Sequence, residues 1–128
     1  TDLAPFGLRV DVFRFDGSFL SLVLDLPSEG LRDLGGSHVI RLDIALESER
    51  PLEVFARLNL RHGPNTDAIV RELAPGAAEA TVEFDLACTR LADRRVEAAW
   101  LDLIFEGPEM NQIVIRDLTL SRRPRAAL

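Results

Sequence analysis

Apolar residues recur at every second position through most of the chain. This is the period of a strand with one buried face, not the 3.6 of an amphipathic helix. The pattern is clearest over residues 40–47, where Ile40, Leu42, Ile44 and Leu46 alternate with Arg41, Asp43, Ala45 and Glu47. A second run sets Leu52, Val54, Ala56, Leu58 and Leu60 against Glu53, Phe55, Arg57, Asn59 and Arg61. A third sets Leu101, Leu103 and Phe105 against Trp100, Asp102 and Ile104. Further strands are expected over residues 8–13, 19–26, 68–73, 81–86 and 112–121. In the last of these the apolar phase jumps from Ile113 and Ile115 to Leu118 and Leu120 across Arg116-Asp117. An odd step inside one strand predicts a β-bulge.

Turn-forming residues separate these runs. Asp16-Gly17 sits between two apolar stretches and predicts a tight hairpin, because both central residues of a type I′ turn need positive φ. Pro27 ends the following strand, and Ser28 is placed to cap one helical turn. Glu49-Arg50-Pro51, His62-Gly63-Pro64-Asn65, Pro75-Gly76 and Glu106-Gly107-Pro108-Glu109 mark further turns. The polar stretch 87–96 reads as a loop or short helix. About eight strands, with no helix long enough for a parallel crossover, predict an all-β fold. The expected form is an antiparallel two-sheet sandwich, jelly-roll-like, as one domain over 1–121 with a basic C-terminal tail over 122–128.

Composition narrows the chemistry. The chain has 128 residues, 47% of them hydrophobic, with 15 basic and 21 acidic side chains and a net charge of -6. Every basic residue is Arg, and there is no Lys; most of that bias reads as codon usage. The acidic balance argues against nucleic acid as a partner, since polyanion binding needs a clustered basic face. One Cys cannot form an internal disulfide, and two His leave little room for a metal site. No metal and no cofactor are therefore expected. No apolar run approaches the ~20 residues of a membrane helix, so no membrane insertion is expected. No signal peptide is visible, which tilts the compartment only slightly toward the cytoplasm.

The candidate chemistry lies on the polar faces. Arg57, Asn59 and Arg61 share one face of their strand, Trp100 and Asp102 share one face of another, and Arg41 and Asp43 a third. Brought together in one sheet, they would supply planar donors, carboxylates and an aromatic platform. Sugar recognition uses that mixture, hydroxyl pairs bonding to Arg, Asn and Asp while an apolar ring face stacks on Trp. The adjoining segment adds His62 and Asn65 at a strand end, where loops on a rigid sandwich carry function. The competing reading is structural: cross-strand Arg–Asp pairs on a solvated face, and a turn closed by Asn65. The contact set for a carbohydrate is then Arg57, Asn59, Arg61, His62, Asn65, Trp100 and Asp102, with no catalytic residue assigned. A protein interaction or assembly domain, including a homo-oligomer, is the alternative. A glycoside hydrolase is the weaker third, because Asp102 and Glu106 lie roughly 13 Å apart on an extended chain, beyond the ~5–9.5 Å such chemistry uses. A cross-strand pair such as Asp43 with Asp102 stays open.

With those residues laid out, the segments Phe13-Arg14-Phe15-Asp16-Gly17-Ser18-Phe19-Leu20, Phe55 to Asn65, Trp100 to Pro108 and Ile115 to Arg125 resemble an uncharacterised alphaproteobacterial family of unknown function. The resemblance spans nearly the whole chain. It implies the C-terminal domain of a longer protein, in keeping with a first residue that is Thr1 and not Met. It carries no activity, cofactor or catalytic residue with it. More loosely, the strand order and the closing strand resemble carbohydrate-binding jelly rolls of the galactose-binding type. With one Trp and no Tyr, however, the chain lacks a multi-ring stacking platform.

Overall fold

The computed structural model describes residues 6–15, 19–48, 53–73, 78–89, 95–106 and 111–125. Eight strands occupy most of them: β1 (Phe6–Phe15), β2 (Phe19–Asp25), β3 (His38–Ser48), β4 (Glu53–His62), β5 (Asn65–Leu73), β6 (Glu79–Asp85), β7 (Ala98–Glu106) and β8 (Asn111–Pro124). They form two four-stranded sheets, β1-β8-β3-β6 and β2-β7-β4-β5, with every pairing antiparallel. This is jelly-roll order. Of the seven connections between successive strands, β4 to β5 alone stays within a sheet. No helix among the described residues is long and apolar enough to cross a membrane.

The alternation read from the sequence points inward as expected. Ile40, Leu42, Ile44, Phe84, Leu118 and Leu120 of the first sheet are buried against Val54, Ala56, Leu58, Leu60, Leu101, Leu103 and Phe105 of the second. Interdigitation of the two inner faces is what makes a sandwich core. The phase jump in β8 is also real. Asp117 lies opposite Ala45 and Ile115 opposite Leu46, so β8 holds one extra residue, Arg116, against β3. The same excess appears against β1, where Leu118 faces Leu8 and Ile115 faces Val10.

Three expectations need correction. The hairpin at Asp16-Gly17 does not form as a paired unit: β1 pairs with β8 and β2 with β7, in different sheets. A two-residue turn signal is local, whereas strand pairing is decided by which faces can be buried together. The turn itself, with those at 49–51, 75–76 and 107–109, lies outside the described residues, as do residues 90–94 of the polar stretch 87–96, which opens with the 3₁₀ turn Leu86–Cys88. Ser28 does not cap the short 3₁₀ turn Ser28–Leu31; Pro27 stands at the cap position and supplies no side-chain bond. Finally, residues 122–125 are not a loose tail. β8 continues to Pro124, with Arg122 opposite Ile40. Arg122 donates to the carbonyls of Gly30 and Arg32, and the Arg125 N–H donates to the Ser37 carbonyl at 2.6 Å. These bonds hold the end of the strand against the loop that closes one end of the sandwich.

Candidate functional site

The outer face of the β2-β7-β4-β5 sheet brings the expected β4 and β7 residues together. Arg57 lies opposite Asp102, Asn59 opposite Trp100, and Arg61 opposite Ala98. All are out of phase with the buried leucines, so the strand period alone sends them to one side. β2 and β5 complete the rows. Val23 flanks Asp102 and Asp25 flanks Trp100, while Val70 flanks Arg57 and Ala68 flanks Asn59.

At the centre Asp102 is only 4% exposed. Its Oδ2 accepts from Arg57 Nε at 2.9 Å, from Arg57 Nη2 at 2.7 Å and from Asn59 Nδ2 at 3.0 Å. A buried carboxylate needs donors of this kind. The amide of Asn59 also lies 3.3 Å from the carbonyl oxygens of Arg57 and Trp100, which fixes its rotation. The Arg57 side chain remains 44% exposed. Two of the five N–H groups of a guanidinium serve Asp102, so the fork is locked in orientation and its far edge faces outward. Trp100 is half-buried beside it. Arg61 is exposed and holds Glu97 loosely, at 3.9 Å. Val23 and Val70, at 62% and 56%, are the exposed large hydrophobic residues of the described chain and both lie on this face.

Three residues expected near this group lie elsewhere. Arg41 and Asp43 belong to β3 and so to the other sheet. There Arg41 Nε meets Asp43 at 3.0 Å and the Thr81 hydroxyl donates to Asp43 at 2.6 Å. Asp43 and Asp102 therefore cannot act as a catalytic carboxylate pair. His62, 2% exposed, continues the inward series Val54, Ala56, Leu58, Leu60 and lies on the core side of β4. Its Nε2 bonds Asp67 Oδ2 at 2.9 Å, while its Nδ1 is buried without a partner. It does not belong to the outer face. Asn65 is exposed and pairs with His62 across a two-residue turn. Gly63 at φ 60° occupies the first central position of that turn, as a hairpin requires. The parity of β4 already carried the signal for His62; the contribution of Val23 and Val70 did not follow without the sheet order.

Comparison with solved structures returns distant likenesses. TmCBM61, solved in complex with beta-1,4-galactotriose, is 18% identical with a TM-score of 0.43, covering 91% of this chain and 67% of that one. The CBM22-1-GH10 modules of the Clostridium thermocellum xylanase 10B, complexed with xylohexaose, are 10% identical with a TM-score of 0.46, covering 92% and 28%. The Cowpea mosaic virus top component is 13% identical with a TM-score of 0.48, covering 100% and 90%. No curated protein matches the sequence. The profile of a family of unknown function (DUF6478) matches residues 1–128.

Proposed function

We propose that this chain, which belongs to that family of unknown function, is a non-catalytic ligand-binding module for carbohydrate, using the outer face of the β2-β7-β4-β5 sheet. The observation that carries the reading is the locked Arg57 fork beside the half-buried Trp100. A planar donor pair of fixed orientation suits two neighbouring hydroxyls, and binding then costs little side-chain entropy. An indole at the next register position offers a face for the apolar side of a sugar ring. In this arrangement Arg57, Arg61 and Trp100 contact the ligand, and Asn59, 6% exposed and bonded to Asp102, helps to position them. Asp102 is a positioning residue, because its carboxylate is buried beneath Arg57 and Asn59.

The test is calorimetric titration with neutral oligosaccharides, preceded by a glycan-array screen. Trp100→Ala and Arg57→Ala should each weaken binding about tenfold or more, the effect of losing roughly 1.4 kcal/mol, with circular dichroism confirming that both variants stay folded. Binding that is unchanged in both variants, or no binding of the intact chain to any glycan, overturns the reading.

A second reading rests on Val23 and Val70. Two exposed apolar side chains on the same face are what a protein-docking surface offers. Under that reading Val23→Ser and Val70→Ser would weaken a protein complex without changing affinity for any sugar.

A further inference from the structure

The two open sheets leave four edge strands, β1, β6, β2 and β5. An edge strand presents a row of unpaired N–H and C=O groups, and proteins blunt such edges with charges, bulges or proline. β1 has two register shifts and carries Arg9, Asp11 and Arg14 in its sequence. β5 carries Asp67, Arg71 and Glu72, and β6 carries Glu79, Glu83 and Asp85. β2 differs. It pairs residue for residue with β7 without a shift, and its sequence has no charge before Asp25.

The register also shows which of its groups are free. Leu26 donates its N–H to the Ala99 carbonyl at 3.0 Å. That bond continues the ladder in which Leu24 faces Leu101 and Leu22 faces Leu103. Hydrogen-bonded positions alternate along an antiparallel pair. Leu22 and Leu24 therefore bond to β7, while Ser21, Val23 and Asp25 turn their N–H and C=O groups to the open edge. Leu22 and Leu24 are only partly covered at the margin of the core, and Val23 is exposed.

We propose that β2 pairs antiparallel with β2 of a second copy of this chain, about a two-fold axis through Leu22. In that register Leu22 meets its counterpart, and Ser21 exchanges backbone bonds with the counterpart of Val23. Asp25 falls opposite residue 19, leaving the two Asp25 carboxylates six residues apart, about 20 Å. No like charges meet across the seam although each chain carries -6. All seven residues of β2 find a partner. An axis through Val23 would instead bring Pro27, which has no N–H, to an outward hydrogen-bonding position. The product is one continuous eight-stranded sheet in which Leu22 and Leu24 gain the cover they lack. The two β7 strands, each bearing Trp100 and Asp102, come to lie three strand spacings apart, about 14 Å, on one shared face. The pairing needs no ligand and stands or falls apart from the carbohydrate reading.

Light scattering on this 128-residue chain, from micromolar to millimolar concentration, tests it. The mass should rise from 14.2 kDa to twice that value. Val23→Pro removes an N–H that the single chain does not use and should leave a folded monomer at every concentration. The double variant S21K/V23K puts like charges directly opposite and should do the same, which decides the matter if the proline variant does not fold. In a Cys88→Ser background, Leu22→Cys should crosslink on mild oxidation whereas Leu24→Cys should not. A single monomeric species throughout overturns the proposal. So does a dimer that survives in both folded variants, or crosslinking at 24 and not at 22.

Discussion

Arg57 of β4 stands directly opposite Asp102 of β7 and grips one oxygen of that buried carboxylate with two nitrogens, at 2.9 and 2.7 Å. The pair ties the two central strands of the sheet on the side away from the core. Asp102 lies beneath Arg57 and the guanidinium is partly in solvent, so screening reduces the gain from charge while burial raises the cost of losing the partner. Arg57→Ala should therefore destabilise the chain by about 1–3 kcal/mol, most of it from a carboxylate left with Asn59 alone. Arg57→Ala, Asp102→Ala and their double variant form a cycle in chemical denaturation. A coupling of about 1 kcal/mol or more is expected; additive losses would mean that the contact contributes nothing beyond each side chain alone.

Trp100 makes this face visible in solution. It is the one Trp, and there is no Tyr, so emission from the folded chain reports its surroundings. Half-burial on the outer sheet face predicts partial quenching by acrylamide, between that of a core and a free indole. A carbohydrate that stacks on the ring should shift the emission to shorter wavelength and reduce quenching. Saturable binding seen by calorimetry with no change in emission would place the ligand away from Trp100.

His38 predicts a dependence on pH. Its Nδ1 accepts from the Gly35 N–H at 3.1 Å, and Arg122 Nη2 approaches its Nε2 at 3.0 Å. Both neighbours are donors, and a neutral imidazole has one lone pair to offer. A protonated ring has none. Burial first, and then the Arg122 charge, hold its pKa below the ordinary 6.5, against a smaller opposing effect of the Asp33 charge. The unfolded chain thus takes up the proton first. Its contribution to stability is complete well above pH 6.5 and declines as pH falls through that value toward the folded pKa. The melting temperature should fall between pH 7 and 5, and His38→Gln should flatten that part of the profile. A profile unchanged by the substitution would assign the slope to other groups.

Much of the fold was legible because alternation is a property of single strands. Ile40, Leu42 and Ile44 had only one face to bury, and Arg116-Asp117 marked the bulge before any partner strand was known. The parity of β4 also runs from Leu58 and Leu60 to His62, but the expected contact set grouped His62 with Arg57 because it borders a turn, and the structure turns it toward the core. Strand order was a different matter. Nothing near Asp16-Gly17 says that β1 and β2 join separate sheets, and nothing near Arg41 says that it faces away from Arg57. Those facts depend on pairings between residues far apart in the sequence, such as Leu22 with Leu103. The same holds for Asp102, whose burial follows from Arg57 and Asn59 arriving on a neighbouring strand.

Gly63 gives a clean measure of turn energetics. Its φ is 60°, and a Cβ built there meets nothing within 4 Å. Gly63→Ala should thus pay only for the left-handed backbone, about 1–2 kcal/mol. Gly63→Asn should cost less, since Asn tolerates that conformation. Denaturant midpoints of the two variants check the order; an Ala variant as stable as the parent would mean that the β4–β5 turn can relax away from positive φ.

The bulge in β8 supports the sharpest prediction. Against β3, Arg116 is the extra residue between Asp117, opposite Ala45, and Ile115, opposite Leu46. Against β1, two β8 residues lie between the partners of Leu8 and Val10, where one would be regular. Deleting Arg116 removes both irregularities at once. Ile113, Ile115, Leu118 and Leu120 would then follow one unbroken period of two, with Leu118 and Leu120 still facing the core. The loss includes the solvent-screened, exposed ion pair of Arg116 with Glu47 at 2.6 Å and the local twist a bulge adds. The deletion variant should therefore fold and melt cooperatively, a few degrees at most from the parent. Deleting Thr119, three residues on, would turn Leu120 away from the core while leaving the bulge in place, and should abolish the cooperative transition. Calorimetry on the two deletions decides it: if removal of Arg116 is as damaging as removal of Thr119, the bulge is required for the fold itself and not merely accommodated by it.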